Sequence, residues 1–158
     1  MNRTRIHWFE GECLPEHSMV LEAVPGVGNV GKILVDGLIE KHPSRTIGWV
    51  LHPDFPPHAT MSNEGLIGPP RLDIKVVILP NGENICIITG VMQPMTASGQ
   101  YEVAEAILGL MSNSDSSRLL VLAGLAAKPD SRSVFVVCSD KKFRKTLEKE
   151  DILVSSDQ

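Results

Sequence analysis

Long apolar stretches are missing from this sequence of 158 residues. No run approaches the roughly 20 consecutive apolar residues that a membrane-spanning helix needs. The segment 1–10 carries basic residues but lacks the apolar centre of a secretory signal. We therefore predict that the protein has no membrane segment and is cytoplasmic.

An excess of positive charge is also missing. The formal net charge is −4, and no basic stripe offers itself to phosphate groups, which argues against nucleic acid as a partner. Cysteine is scarce, since the chain has only Cys13, Cys86 and Cys138, and no pair of them has the spacing of a zinc or redox motif. Cys86 and Cys138 lie in apolar runs, so we interpret them as buried, reduced and structural.

Apolar runs alternate with amphipathic segments along the chain. This pattern predicts strands at 19–24, 45–51, 73–79, 84–89, 118–123 and 133–138, and helices at 29–41, 100–111 and 141–149. Asn81-Gly82 between two strands indicates a hairpin, and a shorter hairpin is predicted at 60–61 and 66–67, turning at 63–65. We expect a single α/β domain over 1–158, with a mostly parallel mixed sheet and helices on both faces.

Two of the predicted helices have an apolar face. In the first helix one apolar stripe is formed by Val30, Ile33, Leu34, Gly37 and Leu38. The solvent-exposed face is predicted to carry Lys32, Asp36 and Glu40. In the second helix one face combines Ala104, Ile107, Leu108 and Met111, and Ser98 is the expected N-cap.

A glycine-rich loop joins the first predicted strand to the first helix. Gly26-x-Gly28-x-x-Gly31 matches the dinucleotide-binding pattern, in which backbone N–H groups at a helix N-terminus bind a pyrophosphate. The acid that this pattern needs about 20 residues later is matched only roughly by Asp54. The loop also resembles the P-loop pattern G-x-x-x-x-G-K-[ST], but Ile33 takes the place of the Ser or Thr whose hydroxyl would bind Mg²⁺. Alternatively, the glycines only let the helix pack close to the sheet.

Strand-to-helix junctions at the carboxyl ends of strands are where open α/β sheets bind ligands. The glycine loop and the polar turn at 93–100 both lie at such junctions. The candidate ligand-binding residues are therefore Gly26, Gly28, Asn29, Gly31, Gln93 and Gln100. Each of them also has a purely structural interpretation within its turn.

No other pattern completes a catalytic or metal site. His52, Asp54 and His58 could bind a metal, but the prolines among them favour a stiff exposed loop. Ser139 and Asp140 follow a predicted strand, where a carboxyl could act as a general acid, but capping of the next helix is the simpler interpretation. No G-x-S-x-G elbow is present. We therefore predict no catalytic residues, no metal and no cofactor, which favours binding over catalysis.

Four motifs in order resemble the proteasome assembly chaperone 2 family. They are the glycine loop with its lysine at 25–32, the proline turn at 54–57, the Thr-Gly-Val-Met-Gln-Pro segment at 89–94, and the start of the following helix at 99–107. The resemblance implies a three-layer α/β/α fold similar to nucleoside phosphorylases and hydrolases. It also implies a homo-oligomer or a related subunit as partner, and a non-enzymatic role as chaperone or scaffold in proteasome assembly, with proteasome α subunits as further partners.

The resemblance has two departures and leaves one alternative. Members of the family generally run past the end of this chain, and some dock on the proteasome through a C-terminal hydrophobic-tyrosine-any tail, whereas this sequence ends Val-Ser-Ser-Asp-Gln. The chain is thus expected to be short at its C-terminus relative to the family. The alternative function is binding or conversion of a nucleoside, phosphate or dinucleotide at the Gly26–Gly31 loop.

Overall fold

The computed structural model describes residues 1–62, 64–112, 118–126 and 134–150. The chain divides into two compact units, Met1–Leu125 and Ala126–Gln158. That the whole chain forms one domain stays a prediction. No helix in the described ranges is both long and apolar enough to cross a membrane.

The first unit alternates strands and helices much as the sequence predicts. In chain order its described elements are β1 (Arg5–Trp8), β2 (Met19–Ala23), α1 (Val30–Lys41), β3 (Ser44–Leu51), β4 (Thr60–Met61), β5 (Ile67–Gly68), β6 (Leu72–Ile78), β7 (Asn84–Gly90), α2 (Ala97–Met111) and β8 (Leu119–Val121). A short 3₁₀ turn, Val27–Asn29, leads into α1. Both predicted hairpins are confirmed, β6 with β7 and β4 with β5; the turn residue Asn63 lies outside the described residues.

The main sheet is mixed, with six strands among the described residues in the order β1-β3-β6-β7-β2-β8. The first three neighbouring pairs are antiparallel, and only β7–β2 and β2–β8 are parallel. The prediction of a mostly parallel sheet was therefore wrong. A parallel pair needs a long crossover, usually through a helix, whereas a tight turn joins β6 to β7. The likeness to nucleoside phosphorylases is not confirmed.

α1 and α2 cover opposite faces of this sheet, as predicted. Val35 of α1 packs with Ile85 and Ile87 of β7. Ile107 of α2 packs on the other face of β7, in the cluster that contains Cys86 and Ile88. Because β7 is buried on both faces, its continuously apolar sequence is explained.

The N-terminal strand β1 was not predicted. It is a short edge strand that pairs antiparallel with β3, from Arg5 opposite Leu51 to Trp8 opposite Gly48. Ile6 and Trp8 pack against the side of the sheet that α2 covers. The two-residue alternation of polar and apolar side chains was a signal that could have revealed this strand.

α2 begins earlier than predicted, at Ala97, and its N-cap is Thr96 rather than Ser98. The Thr96 hydroxyl accepts a hydrogen bond from the Gly99 backbone N–H at 3.1 Å. Of the predicted apolar face, Ile107 is buried and Met111 packs against the core, whereas Leu108 is exposed. Ala104 is exposed as well. The buried face turns instead through Val103.

In the second unit, α3 (Lys141–Lys149) has the predicted bounds. The capping interpretation of Asp140 is confirmed, because its Oδ1 accepts a hydrogen bond from the Phe143 backbone N–H at 2.6 Å. The buried strand predicted at 133–138 was wrong for its described part, residues 134–138. There only Val136 has a bridge partner, and both Val134 and Val137 are exposed.

The cysteine predictions hold for Cys86. It is fully buried in β7, and this burial raises the pKa of its thiol to about 11, so the group stays a neutral thiol. Cys138 is only partly buried, and Cys13 is exposed.

The start of α1 packs closely on the chain that follows β8. A Cβ at Gly31 would lie within 3.0 Å of the carbonyl oxygen of Leu122. A Cβ at Gly124 would lie equally close to the carbonyl oxygen of Val27. The close-packing interpretation of the glycine loop is thereby supported, because backbone oxygens cannot move aside as a side chain can.

This packing predicts opposite effects for two alanine substitutions in α1. We expect Gly31→Ala to lower the free energy of unfolding by about 1–3 kcal/mol, because the new methyl group overpacks the contact with Leu122. Gly37→Ala serves as the matched control, since a Cβ there meets nothing within 4 Å. It should raise the free energy of unfolding by roughly 0.5–1 kcal/mol through helix propensity. Urea denaturation measures both, and equal effects of the two substitutions would contradict the packing.

Candidate functional site

The carboxyl ends of β2 and β7 form a topological switch point. The two strands are adjacent and parallel, but β2 leads to α1 on one face and β7 leads to α2 on the other. The connections therefore part at this edge and leave the kind of crevice in which α/β sheets bind ligands. The predicted ligand-binding residues follow these two strands.

The structure brings Gln93 to the glycine loop. Its side-chain Nε2 donates a hydrogen bond to the carbonyl oxygen of Pro25 at 2.9 Å. Gln100 does not reach the loop by its hydrogen bond, since its Nε2 donates to the carbonyl oxygen of Pro94 at 3.1 Å within its own turn. One of the two predicted glutamines is thus joined to the loop directly.

The glycine loop itself is closed by its own hydrogen bonds. The Asn29 backbone N–H donates to the Gly26 carbonyl at 3.0 Å, and the Asn29 side-chain oxygen accepts from the Gly26 N–H at 3.3 Å. Gly28 and Asn29 both have positive φ, 63° and 50°. Gly26, Gly28 and Asn29 are exposed, whereas Gly31 is buried against Leu122.

Sequence reasoning missed Glu22, a carboxylate on strand β2 of the sheet. It lies on β2, opposite Ile88 of β7 and Val121 of β8. Burial raises the pKa of this carboxyl above its ordinary value. A strand of otherwise apolar residues is a poor place for a charge, so Glu22 is a group that could hold a proton near the switch point.

A second polar cluster surrounds His52, at the end of β3. The His52 side chain is fully buried, which corrects the prediction that the proline connection is simply an exposed loop. Its Nδ1 accepts a hydrogen bond from the Asp54 backbone N–H at 3.1 Å, so the proton belongs on Nε2, which lies 3.1 Å from the carboxylate of Glu102. Glu102 also forms an ion pair with Arg3 at 2.9 Å.

Asp54 has a structural role in the same cluster. Its Oδ2 accepts hydrogen bonds from the backbone N–H and the hydroxyl of Thr96, at 2.8 and 2.6 Å. The hydroxyl hydrogen bond is the main cause of the lowered pKa of Asp54. Asp54 thus fixes the N-cap of α2, and neither a ribose acid nor a metal ligand is needed to explain it. In the described residues no group of three or more His, Cys, Asp or Glu side chains is arranged to hold a metal.

The apolar stripe predicted for α1 does not face the sheet as a whole. Gly31 and Val35 are buried, and Leu38 packs beside them. Val30, Ile33 and Leu34 are 58%, 66% and 49% exposed. α1 is therefore apolar on two sides, and one of them is largely exposed.

Val27, at the 3₁₀ turn before α1, extends this surface and is 55% exposed. We call the surface formed by Val27, Val30, Ile33 and Leu34 the α1 patch. On a helix of a soluble protein, contiguous exposed apolar side chains mark an interaction site more often than isolated ones do.

The family comparison decides the identity of the fold. A sequence model of the PAC2 family matches residues 20–157. The chain belongs to the PAC2 family. The resemblance drawn from the four motifs is thereby confirmed, and the PAC2 match extends past those motifs towards the end of the chain.

Two solved structures share this PAC2 fold. Pyrococcus furiosus PbaB, an archaeal proteasome activator, superposes with a TM-score of 0.77 at 18% identity, over 100% of this chain and 68% of PbaB. Pyrococcus furiosus PbaA, an archaeal homologue of proteasome-assembly chaperone, superposes with a TM-score of 0.73 at 20% identity, over 97% of this chain and 61% of PbaA. At these identities the likeness establishes the fold alone.

A curated relative comes from Methanocaldococcus jannaschii. The protein MJ1210 is 23% identical over 144 residues, which are 90% of this chain and 55% of the relative. The chain thus spans little more than half the length of that relative.

The Arg3–Glu102–His52 cluster predicts an acid-dependent loss of stability. The hydrogen bond from Arg3, followed by that from His52, holds the pKa of Glu102 well below its ordinary value. In the unfolded chain a glutamate titrates near about 4.3. Below that pH the unfolded state therefore binds more protons than the folded state. The contribution of Glu102 to the free energy of unfolding is complete at neutral pH and is lost as the pH falls.

We accordingly expect the wild-type chain to unfold at higher urea than Glu102→Gln at neutral pH, with a difference that shrinks below about pH 4. Urea denaturation at several pH values measures it. A difference that stays constant down to about pH 3 would show that the charge of Glu102 contributes nothing to stability.

Proposed function

We propose that this chain is a non-enzymatic assembly chaperone or scaffold, which works as a homo-oligomer or with a related subunit and handles proteasome subunits. Membership of the PAC2 family supports this function. So does the fold shared with an archaeal proteasome activator and with a homologue of proteasome-assembly chaperone. The α subunits of the proteasome are the partners we propose to test first.

The α1 patch is the observation that carries the proposal. Four apolar side chains, three on α1 and one on the turn before it, cost free energy when they face water, and burying them in a partner recovers roughly 25 cal/mol per Å². No catalytic machinery is needed for a protein that works by covering and presenting surfaces.

The surroundings of the α1 patch suit a protein interface. Lys32 and Asp36 form an ion pair one helical turn apart on the neighbouring side of α1, and Glu40 lies exposed further along. An apolar centre beside charged residues is the usual arrangement of a protein–protein contact.

Charge introduced into the α1 patch should prevent self-association. We expect wild-type protein to form an oligomer, and the double variant Ile33→Asp, Leu34→Asp to be a monomer, because two carboxylates cannot be buried unpaired in an apolar contact. Light scattering coupled to size exclusion measures the solution mass.

The matched control is Leu108→Asp on α2, whose side chain is 59% exposed and thus comparable to Ile33 at 66%. This variant should keep the wild-type mass. A wild-type monomer, or equal dissociation of the Leu108→Asp variant, would contradict the assignment of the α1 patch.

A second candidate function is the binding of a small molecule at the glycine loop. Two observations favour it: Gly26–Gly31 lies at the switch point, and Glu22 with its raised pKa lies on the strand that leads there. Gly26, Gly28, Asn29, Gly31, Gln93 and Gln100 remain the proposed ligand-binding residues, and the ligand would be a nucleoside, phosphate or dinucleotide.

A thermal-shift panel tests this second function. A ligand present at 100 times its Kd stabilises a fold by roughly 2.7 kcal/mol, which shifts the melting temperature measurably. We expect a ligand that binds at the loop to raise the melting temperature of the wild-type protein but not that of the Gln93→Leu variant. No shift with nucleosides, nucleotides, phosphate and dinucleotides would exclude this function.

A further inference from the structure

A groove of about 1020 Å³ lies on the first unit, away from both the α1 patch and the glycine loop. Its walls are the N-terminal segment 1–5, residues 51–53 and 55–59 of the proline connection, and the chain at 67–70 that ends the β4–β5 hairpin. Its volume is at the upper end of the roughly 300–1,000 Å³ of small-molecule sites. The space is therefore wide enough for several residues of an extended peptide.

The lining combines apolar surface with positive charge. Five prolines, Leu51, Phe55 and Ile67 line the groove, together with Arg3, Arg5, His52 and His58, and none of its lining residues is acidic. Glu102 pairs with Arg3 and is hydrogen-bonded to His52, so the positive charge of the groove that has no acidic partner among the described residues is that of Arg5. The charge of the groove is complementary to a ligand that carries carboxylates beside apolar groups.

Not all of the polar groups in the lining are engaged within the chain. Arg3 is held by Glu102, and His52 is buried in the same cluster. Arg5 is exposed and forms no ion pair or side-chain hydrogen bond with any described residue, and the same holds for His58. The hydroxyl of Thr4, which precedes Arg5 in the lining, is buried and has no hydrogen-bond partner in the described part of the chain.

The groove lies at the start of an open sheet edge. β1 begins at Arg5 and pairs with β3 on one side only, and no other strand of the described ranges pairs with it. An edge strand offers a row of free backbone N–H and C=O groups, to which an extended peptide can add as a further strand. Ile67 at the rim is 76% exposed and adds apolar surface for the side chains of such a peptide.

We propose that this groove binds an extended peptide segment of another protein, in which acidic side chains alternate with apolar ones. The backbone of the peptide pairs with β1, a carboxylate of the peptide accepts hydrogen bonds from the guanidinium of Arg5, and its apolar side chains pack on the prolines and Ile67. The site shares no residue with the α1 patch, and it does not depend on the self-association or the proteasome partner proposed above.

Two labelled peptides test the proposal by fluorescence anisotropy at low salt. One has the sequence Leu-Glu-Val-Glu-Leu-Glu, and the other replaces each Glu by Gln; both have an amidated C-terminus, so that side chains alone carry the charge. We expect the Glu peptide to bind at least about tenfold more tightly, which corresponds to a charge-assisted hydrogen bond. Added salt should reduce this difference.

Arg5→Glu should weaken binding of the Glu peptide by about tenfold or more. Arg5→Gln should weaken it by less, since this substitution removes the charge without reversing it. Lys145→Glu, which makes the same change of charge at an exposed site in the second unit, should leave the affinity unchanged. Backbone amides of β1 should gain protection from hydrogen exchange when the Glu peptide is added.

Three results would overturn the proposal. They are equal or absent binding of the two peptides, equal effects of the Arg5→Glu and Lys145→Glu variants, and binding without protection of the β1 amides. Displacement of the Glu peptide by free glutamate or phosphate at the concentration of the peptide itself would instead make the groove a site for small anions.

Discussion

The parallel pairing of β2 with β7 is the constraint on which the rest of the structure depends. The pair runs from Met19 opposite Ile85 to Ala23 opposite Thr89, and it is covered by α1 on one face and α2 on the other. Because the two strands send their chains to opposite faces, the glycine loop and Gln93 must meet at their carboxyl ends. The same packing turns one side of α1 towards the sheet and leaves its other apolar side outside.

The sequence predicts most of the elements but not which surface of α1 is buried. Hydrophobic periodicity finds apolar faces, and it selected the one through Val30, Ile33 and Leu34. Of the predicted stripe, Leu38 does pack on the core. The buried face runs through Gly31 and Val35 as well, and it packs against the sheet because Gly31 on that side allows close approach to Leu122. An apolar face that does not pack within its own chain cannot be told from a core face by spacing alone.

The candidate site was predictable only where its residues directly follow the ends of predicted strands. Motif spacing and strand ends placed the glycine loop and Gln93 together, and the hydrogen bond from Gln93 to Pro25 confirms that proximity. The His52 cluster was not predictable, since it joins the residue after β3 to the second turn of α2 and to the segment before β1, a strand that was not predicted. Such contacts depend on the order of strands in the sheet, and the predicted sheet was too parallel.

The account is tested most directly by mixing the chain with the proteasome α subunits of its own organism and measuring the mass of the species formed by light scattering. The proposed function predicts a stable complex that contains both proteins. Charges introduced into the α1 patch should weaken this complex, since the proposal assigns the contact to this exposed apolar surface. Separate elution of the chain and the α subunits, each at its own mass across the whole concentration range, would contradict it.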